Sequence, residues 1–361
     1  MKRLVAFLIA LGIVVSVPAT SVVRADALEL TIDGRAFKVN GTAKFLVFVS
    51  FFDAFDESNT NLASDFSALK SAGVDGIRIF PNWWTLNQPY PTTFYYAQDT
   101  LIDTSGNLRS GTLSKLLDIL DIAKNAGLVV DVSFSAESVG YCPGNNCEAF
   151  NPNIGGLTKS ELQGALEDLT YTLASYGSAY KHVLFDIQNE ANEVGPSDGL
   201  LSATAVDEIT EAIHAIDADR IVTVSWSGSD SPGDAADFAV DAEVDVATWH
   251  ETRQYQWWNS TESWVGTMRS HTSKPVYLQE PEPSGDSDWT LAGIEANVQA
   301  AKEAGAAAWC FHTRASFYLN GTSLMSSLNS NEQDFLDDLS TVLSGVSCAA
   351  GTSSRSGVRH R

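Results

Sequence analysis

The chain has 361 residues, 44% of them hydrophobic, 10% aromatic and 19% charged, enough apolar material for one large core or two medium ones; a disordered segment and a disulfide-stapled miniature scaffold are both excluded. Lysine and arginine number 22 against 45 aspartates and glutamates, a formal net charge of −23, so nucleic acid would be repelled rather than steered in. A neutral partner suits this charge.

Met1-Lys2-Arg3 followed by an apolar run over 4–17 reads as a secretory signal, too short to span a bilayer. Val23 with Ala25, or Ala25 with Ala27, fills the two small-residue positions of a cleavage site, which predicts removal of 1–25 and a mature start at Asp26 or Leu28. The expected location is extracellular or periplasmic. No later run is long and apolar enough for a membrane helix, so no membrane contact is expected once the signal is gone.

Residues 28–40, with Asp33-Gly34 as a turn, predict a β-hairpin. From about 45 to 345 one grammar then repeats: a short apolar run, a polar or aromatic loop, an amphipathic helical pattern, and a glycine before the next run. The strand candidates are 45–51, 76–80, 128–134, 183–188, 221–226, 244–249, 276–279 and 306–311. Between them, Leu113, Leu116, Leu117 and Leu120 fall at helical spacing with Gly127 closing the helix, and Leu162, Leu166, Leu169 and Leu173 follow a Thr158/Glu161 capping box. Val206, Ile209, Ile213 and Ile216 make a third stripe, and further helices fit 62–71, 291–304 and 333–343.

The strands are nearly continuous apolar runs, as parallel strands covered by helices are. Eight such units over about 300 residues predict a single α/β domain over 28–346, a (β/α)8 TIM barrel whose floor the hairpin closes. A doubly wound sheet fits less well, because no glycine-rich phosphate motif follows any strand. The stretch 347–361, rich in Ser, Gly and Arg, reads as a disordered tail, and a monomer is expected.

Cys142 and Cys147 bracket Pro-Gly-Asn-Asn, which suggests a small disulfide staple in a secreted chain; Cys310 and Cys348 could pair or stay as thiols. No His-x-His and no second close Cys or His pair completes a metal site, so neither a metal nor another cofactor is expected.

Barrel chemistry sits at the carboxyl ends of strands. Lys44, Lys181 and Lys274 precede their strands and so lie at the wrong end for a Schiff base. What falls at the right end is carboxylate: Glu190 after the fourth strand and Glu280 after the seventh. Side chains from those two ends converge across the mouth, and two carboxyls about 5–5.5 Å apart are the arrangement for hydrolysing a glycosidic bond with retention.

With Asn189-Glu190 at strand four, Glu280 at strand seven, Arg78 in Gly76-Ile77-Arg78-Ile79-Phe80 at strand two, His250 after strand six and Trp309 in strand eight, the chain resembles the clan A glycoside hydrolases, most of all family 5, the cellulases and mannanases. The resemblance covers most of the barrel. It implies Glu190 as acid/base and Glu280 as nucleophile, Arg78 holding Glu280 ionised and aimed, Asn189 on the sugar 2-hydroxyl, His250 orienting the nucleophile or binding sugar, and Trp309 as a stacking platform. Departures bear on substrate: Ala191 stands where proline often follows Asn-Glu, Ser133 where a strand-three histidine is common, and Thr252 where a tyrosine is frequent, with Tyr255 a possible substitute.

Rival carboxylates are Glu137, Glu193, Glu251 and Glu282, and His312 is the other histidine at a strand end. Nine tryptophans are many for this length, and Trp83, Trp84, Trp257, Trp258, Trp264 and Trp289 fall in loops, where indole faces suit a sugar cleft. Together these features predict a metal-independent, retaining, endo-acting β-glycosidase on a neutral β-linked polysaccharide or oligosaccharide, β-mannan or β-glucan. A silent carbohydrate-binding barrel and a transglycosylase using the same glutamates are the alternatives.

Overall fold

The computed structural model describes residues 28–81, 100–103, 105–134, 157–193, 201–252, 256–281, 289–317 and 319–344. The signal segment, the tail, Cys142, Cys147, Cys348, Trp83, Trp84, Glu137, Tyr255 and Glu282 lie outside them.

The first described elements are three antiparallel strands, β1 (Leu30–Asp33), β2 (Ala36–Val39) and β3 (Thr42–Lys44). Pairing of Asp33 with Ala36 leaves Gly34-Arg35 as a two-residue loop, and Gly34 has the positive φ of 59° that its first position requires. The expected hairpin therefore forms. It gains a third strand because Asn40-Gly41, with φ of 50° and 77°, makes a second tight turn between Val39 and Thr42. Leu28, Leu30 and Phe37 pack with Leu46, Val129, Leu184, Ile221 and Val246 from the amino-terminal halves of the barrel strands. This sheet closes the floor and leaves the opposite mouth for chemistry.

Eight parallel strands close into a barrel: β4 (Leu46–Phe51), β5 (Gly76–Ile79), β6 (Val129–Ser133), β7 (Val183–Asp186), β8 (Ile221–Trp226), β9 (Val246–Trp249), β10 (Val276–Leu278) and β11 (Ala308–Phe311). Each expected strand is present. Side chains alternate between an inner layer, with Leu46, Phe48, Val129, Leu184, Tyr277, Ala308 and Cys310, and an outer layer beneath the helices, with Val47, Val49, Val130, Val132, Phe185, Trp309 and Phe311. Gly76 fits this interior because a Cβ there would meet the Phe48 ring at 2.4 Å and Val129 at 2.8 Å.

The helices are α1 (Asn59–Ser71), α2 (Ser110–Ala126), α3 (Lys159–Ser175), α4 (Ala203–Ile216), α5 (Pro232–Asp241), α6 (Thr261–His271), α7 (Leu291–Ala304), α8 (Leu324–Ser327) and α9 (Ser330–Ser344). The Thr158/Glu161 capping box is made in both directions, and Gly127 ends α2 at a φ of 75°. Helices α5 and α6 have no counterpart among the expected elements. Their inner faces are built from Ala235, Ala236 and Ala239, and from Val265 and Met268, in place of a leucine stripe. None of the described helices is long and apolar enough to cross a membrane. Cys310 is a buried free thiol of the barrel interior.

Candidate active site

Along each barrel strand the inward positions change from apolar to polar toward the carboxyl end. Phe48 is followed two residues on by Ser50, Gly76 by Arg78, Val129 by Asp131 and Ser133, Leu184 by Asp186, and Tyr277 by Gln279, all of them buried. A charged group at such a depth must be paired. Arg78 is the hub of that pairing.

Its Nε donates to Ser133 Oγ at 2.7 Å, one terminal nitrogen donates to Glu280 Oε1, and the other donates to Asn189 Oδ1 at 2.7 Å and Asp186 Oδ2 at 3.3 Å. Asp131 lies 3.8 Å from Nε. Burial alone would lower the basicity of Arg78, but Glu280, Asp186 and Asp131 outweigh it and hold the guanidinium charged. One cation thus faces three acids. Burial pushes Asp131 up to about 7, with repulsion from Asp186 adding to it and the attraction of Arg78 opposing it. Asp186 is raised for the same first reason, against the pull of Arg78 and His250.

Glu190 follows β7 in a turn at a φ of 48°, a left-handed conformation that costs a non-glycine residue roughly 1–2 kcal/mol. Its backbone N–H donates to Ser225 Oγ at 3.0 Å, and the N–H of Ala191 to the carbonyl of Ser225 at 3.0 Å, so strand β8 holds the turn in place. The turn aims the Glu190 side chain, 32% exposed, at His250 Nδ1, 2.8 Å from Oε1. Glu280 is more enclosed, at 9%, with Oε2 3.5 Å from the same nitrogen. Burial opposes a charge on His250, but Glu280 and Glu190 together raise its basicity above the usual imidazole range.

Glu190, His250 and Glu280 each offer an atom within 4.8 Å of the other two. Oxygens of the two carboxylates thus approach more closely than the roughly 6.5–9.5 Å that leaves room for a water between an inverting pair. The same three atoms could approach a cation. Arg78, already donating to Glu280, sets a positive charge against one, which disfavours a divalent ion there.

Arg78, Asn189, Glu190, His250 and Glu280 therefore come together at the mouth, the two glutamates as their strand-end positions predict and the other three as the resemblance implies. Two other expected residues do not. Trp309 is fully buried and faces outward, packing on Phe311 and Phe335 with its indole N–H on Asn297 Oδ1 of α7, so it cannot stack on a ligand in the mouth. Its parity decides this: Ala308 and Cys310 face in, hence Trp309 faces out. Trp257 is 1% exposed and meets Trp258 edge to face in the helical layer, which removes it as a sugar-contacting surface. An aromatic wall stands where the platform was expected. Phe52 is stacked between Phe80, at 3.8 Å, and Phe317, at 4.1 Å, and His312 presents an edge to both Phe52 and Phe317. Asp131, Asp186, Gln279 and Ser225 were not singled out in the sequence, although counting two residues along each strand from an inward apolar position reaches three of them.

The rival Glu251 is turned away from the mouth. It accepts from Asn297 Nδ2 at 2.8 Å and from Thr261 Oγ1 at 3.3 Å in the helical layer, where burial pushes its carboxyl up to about 8. The free acid ionises near 4.5, so between 4.5 and 8 the folded chain holds a proton that the unfolded chain has lost. The stability this confers is complete below 4.5 and drains away as pH rises to 8. Glu251→Gln, which copies the protonated acid, is expected to raise unfolding free energy at pH 8 by on the order of a few kcal/mol and leave it nearly unchanged at pH 4.5. Denaturant unfolding of both chains at the two pH values checks this, and an equal shift at both would refute it.

No family model and no curated protein sequence matches the chain. Solved structures do. The β-mannanase of the blue mussel Mytilus edulis superposes with a TM-score of 0.54 at 14% identity, over 84% of this chain and 98% of that one. The hyperthermostable endo-1,4-β-D-mannanase of Thermotoga petrophila RKU-1 gives 0.55 at 13% identity, over 83% and 100%. GH5_18 from Bifidobacterium longum, solved with Manb1-4GlcNAc, gives 0.56 at 15% identity, over 84% and 80%. At these identities the likeness is one of fold.

Proposed function

We propose that the chain is a secreted, retaining β-glycoside hydrolase of the family 5 kind that cleaves a neutral β-linked polysaccharide, β-mannan before β-glucan. The observation that carries the proposal is the facing pair across the barrel mouth: Glu280, enclosed and bound to a buried arginine, and Glu190, more open and bound to a histidine.

The two environments suit two roles. Arg78 keeps Glu280 ionised and directed, as an attacking carboxylate must be, while Glu190 reaches the open side where a leaving oxygen would sit. In the first displacement Glu280 bonds to the anomeric carbon as the glycosidic bond breaks, and Glu190 gives its proton to the departing oxygen. In the second, Glu190 takes a proton from water, the resulting hydroxide bonds to the anomeric carbon, and Glu280 leaves as a carboxylate. Arg78 occupies Asn189 Oδ1, which leaves the amide N–H to donate to the sugar 2-hydroxyl. β-Mannan takes first place because mannanases share the fold; the acidic chain, formally −23, is suited to a neutral polymer. A signal over 1–25 would place the enzyme outside the cytoplasm.

The purified mature protein is expected to release reducing ends from mannan or glucomannan in a panel that also holds cellulose derivatives, mixed-linkage glucan and β-1,3-glucan. Proton NMR of the first product should show the β-anomer. Release of the α-anomer would remove the double displacement, and measurable binding without release from any polymer would replace the enzyme by a silent sugar-binding barrel.

A further inference from the structure

The contacts around His250 fix where its protons sit. Gln279, the residue before Glu280, donates from Nε2 to Asp131 Oδ2 at 2.8 Å and so turns its carbonyl Oε1 to His250 Nε2, 3.1 Å away. An amide oxygen only accepts, so that bond exists only when Nε2 carries a proton. Gln279 and Asp131 are both fully buried, and neither can exchange its partner for water.

The other ring nitrogen, Nδ1, lies 2.8 Å from Glu190 Oε1. With Nε2 committed, two arrangements satisfy this contact. Either the ring is imidazolium and Nδ1–H donates to an ionised Glu190, or the ring is neutral and Glu190 donates its own proton to the Nδ1 lone pair. Both place one proton between the two groups. Losing it would set a lone pair against a carboxylate oxygen at hydrogen-bond distance, a repulsive arrangement. An unconstrained neutral histidine would escape by carrying its proton on Nδ1 instead. Gln279 closes that escape.

We propose that Gln279, clamped by Asp131, is a positioning residue that locks His250 in its Nε2–H form, so that Glu190 and His250 retain their shared proton to higher pH. The inference rests on the reading of Glu190 as acid/base and deepens it by assigning the store of the catalytic proton. The charged groups facing His250 are consistent with this: Glu190 from the end of β7 and Glu280 from the end of β10 favour a proton there, Arg78 of β5 opposes it, and the buried Asp186 of β7 is near enough to feel the charge. Gln279 itself is neutral, so its effect is directional and adds no charge.

The test is nitrogen-15 NMR of the full mature enzyme labelled at histidine, with His250 assigned through the signal lost in His250→Asn. Above the titration midpoint, His250 should show a protonated Nε2 and an unprotonated Nδ1; a protonated Nδ1 overturns the lock. In Gln279→Met the Nδ1–H form should appear, and the alkaline limb of kcat/KM should move down by about one pH unit, because an Nδ1–H donor favours ionised Glu190. Loss of activity by one factor at every pH, with the limb unmoved, would mark a merely structural glutamine and overturn the proposal. The tautomer in the unaltered enzyme is read without turnover and does not depend on the variant's folding. Nε2–H there, in an enzyme whose Glu190→Ala variant keeps full activity, would instead overturn the acid/base assignment alone.

Discussion

Glu280→Ala is expected to lower kcat by about four orders of magnitude or more, the scale on which removal of an enzymatic nucleophile acts, while the chain still folds. Folding survives because the deletion eases a local imbalance. Arg78 keeps Asp186 at 3.3 Å and Asp131 at 3.8 Å, so one cation then faces two buried acids in place of three. The variant also leaves a gap beside the anomeric carbon that a small anion fills. Azide should therefore restore turnover of an activated aryl β-glycoside and yield the α-glycosyl azide, since attack comes from the face that Glu280 occupied. Glu190→Ala should behave differently, slowing substrates with poor leaving groups most, because only those need the proton. Undiminished activity of Glu280→Ala would remove it from the mechanism and transfer the nucleophile's part to another rim carboxylate, with Glu282 the first to examine.

The fold was legible because its periodicities are strong. Largely apolar runs of four to seven residues separated by amphipathic helical stripes leave little besides a covered parallel sheet, and each of the eight runs contains a barrel strand. Helices α5 and α6 were not legible by the same signal. Alanine fills the inner face of α5, where the Ser231/Asp234 capping box with Pro232 in the first turn was the available cue. The third strand of the floor was announced by Asn40-Gly41, a hairpin signal as strong as the one before it.

At the site, position along the chain served well and direction served poorly. Strand ends found Glu190 and Glu280, and the family resemblance added His250 and Arg78, because a barrel collects such positions at one mouth. Whether a residue faces the mouth or the helices depends on single-residue parity, and an apolar run covered on both sides hides that parity. Trp309 fails as the expected platform for this reason, one residue from the inward Cys310, and the rival Glu251 is likewise turned out one residue beyond His250. Parity becomes readable only once one inward residue on the strand is known. From Arg78 it passes through the strand register, which pairs Arg78 with Asp131 on β6 and Ser50 on β4, both buried in the interior.

That register makes Arg78 the residue whose loss should unbalance the most. Arg78→Met is expected to cost about 3–5 kcal/mol of unfolding free energy at pH 7, the range for breaking a buried ion pair from one side, because Asp186, Asp131 and Glu280 would stay buried without the guanidinium that pairs them. The cost should shrink in acid, where the orphaned carboxyls take up protons, and grow toward neutral pH. Adding Asp186→Asn should recover part of the stability at pH 7, since the amide still accepts at the Asp186 position without a charge, yet it should recover no activity, since Glu280 remains unheld. Denaturant unfolding and turnover, measured on the single and double variants at pH 5 and pH 7, separate the two effects. A single variant as stable as the parent at pH 7 would mean that the acids are neutral there without Arg78, and the guanidinium would then serve to aim Glu280 and not to hold the barrel's polar layer together.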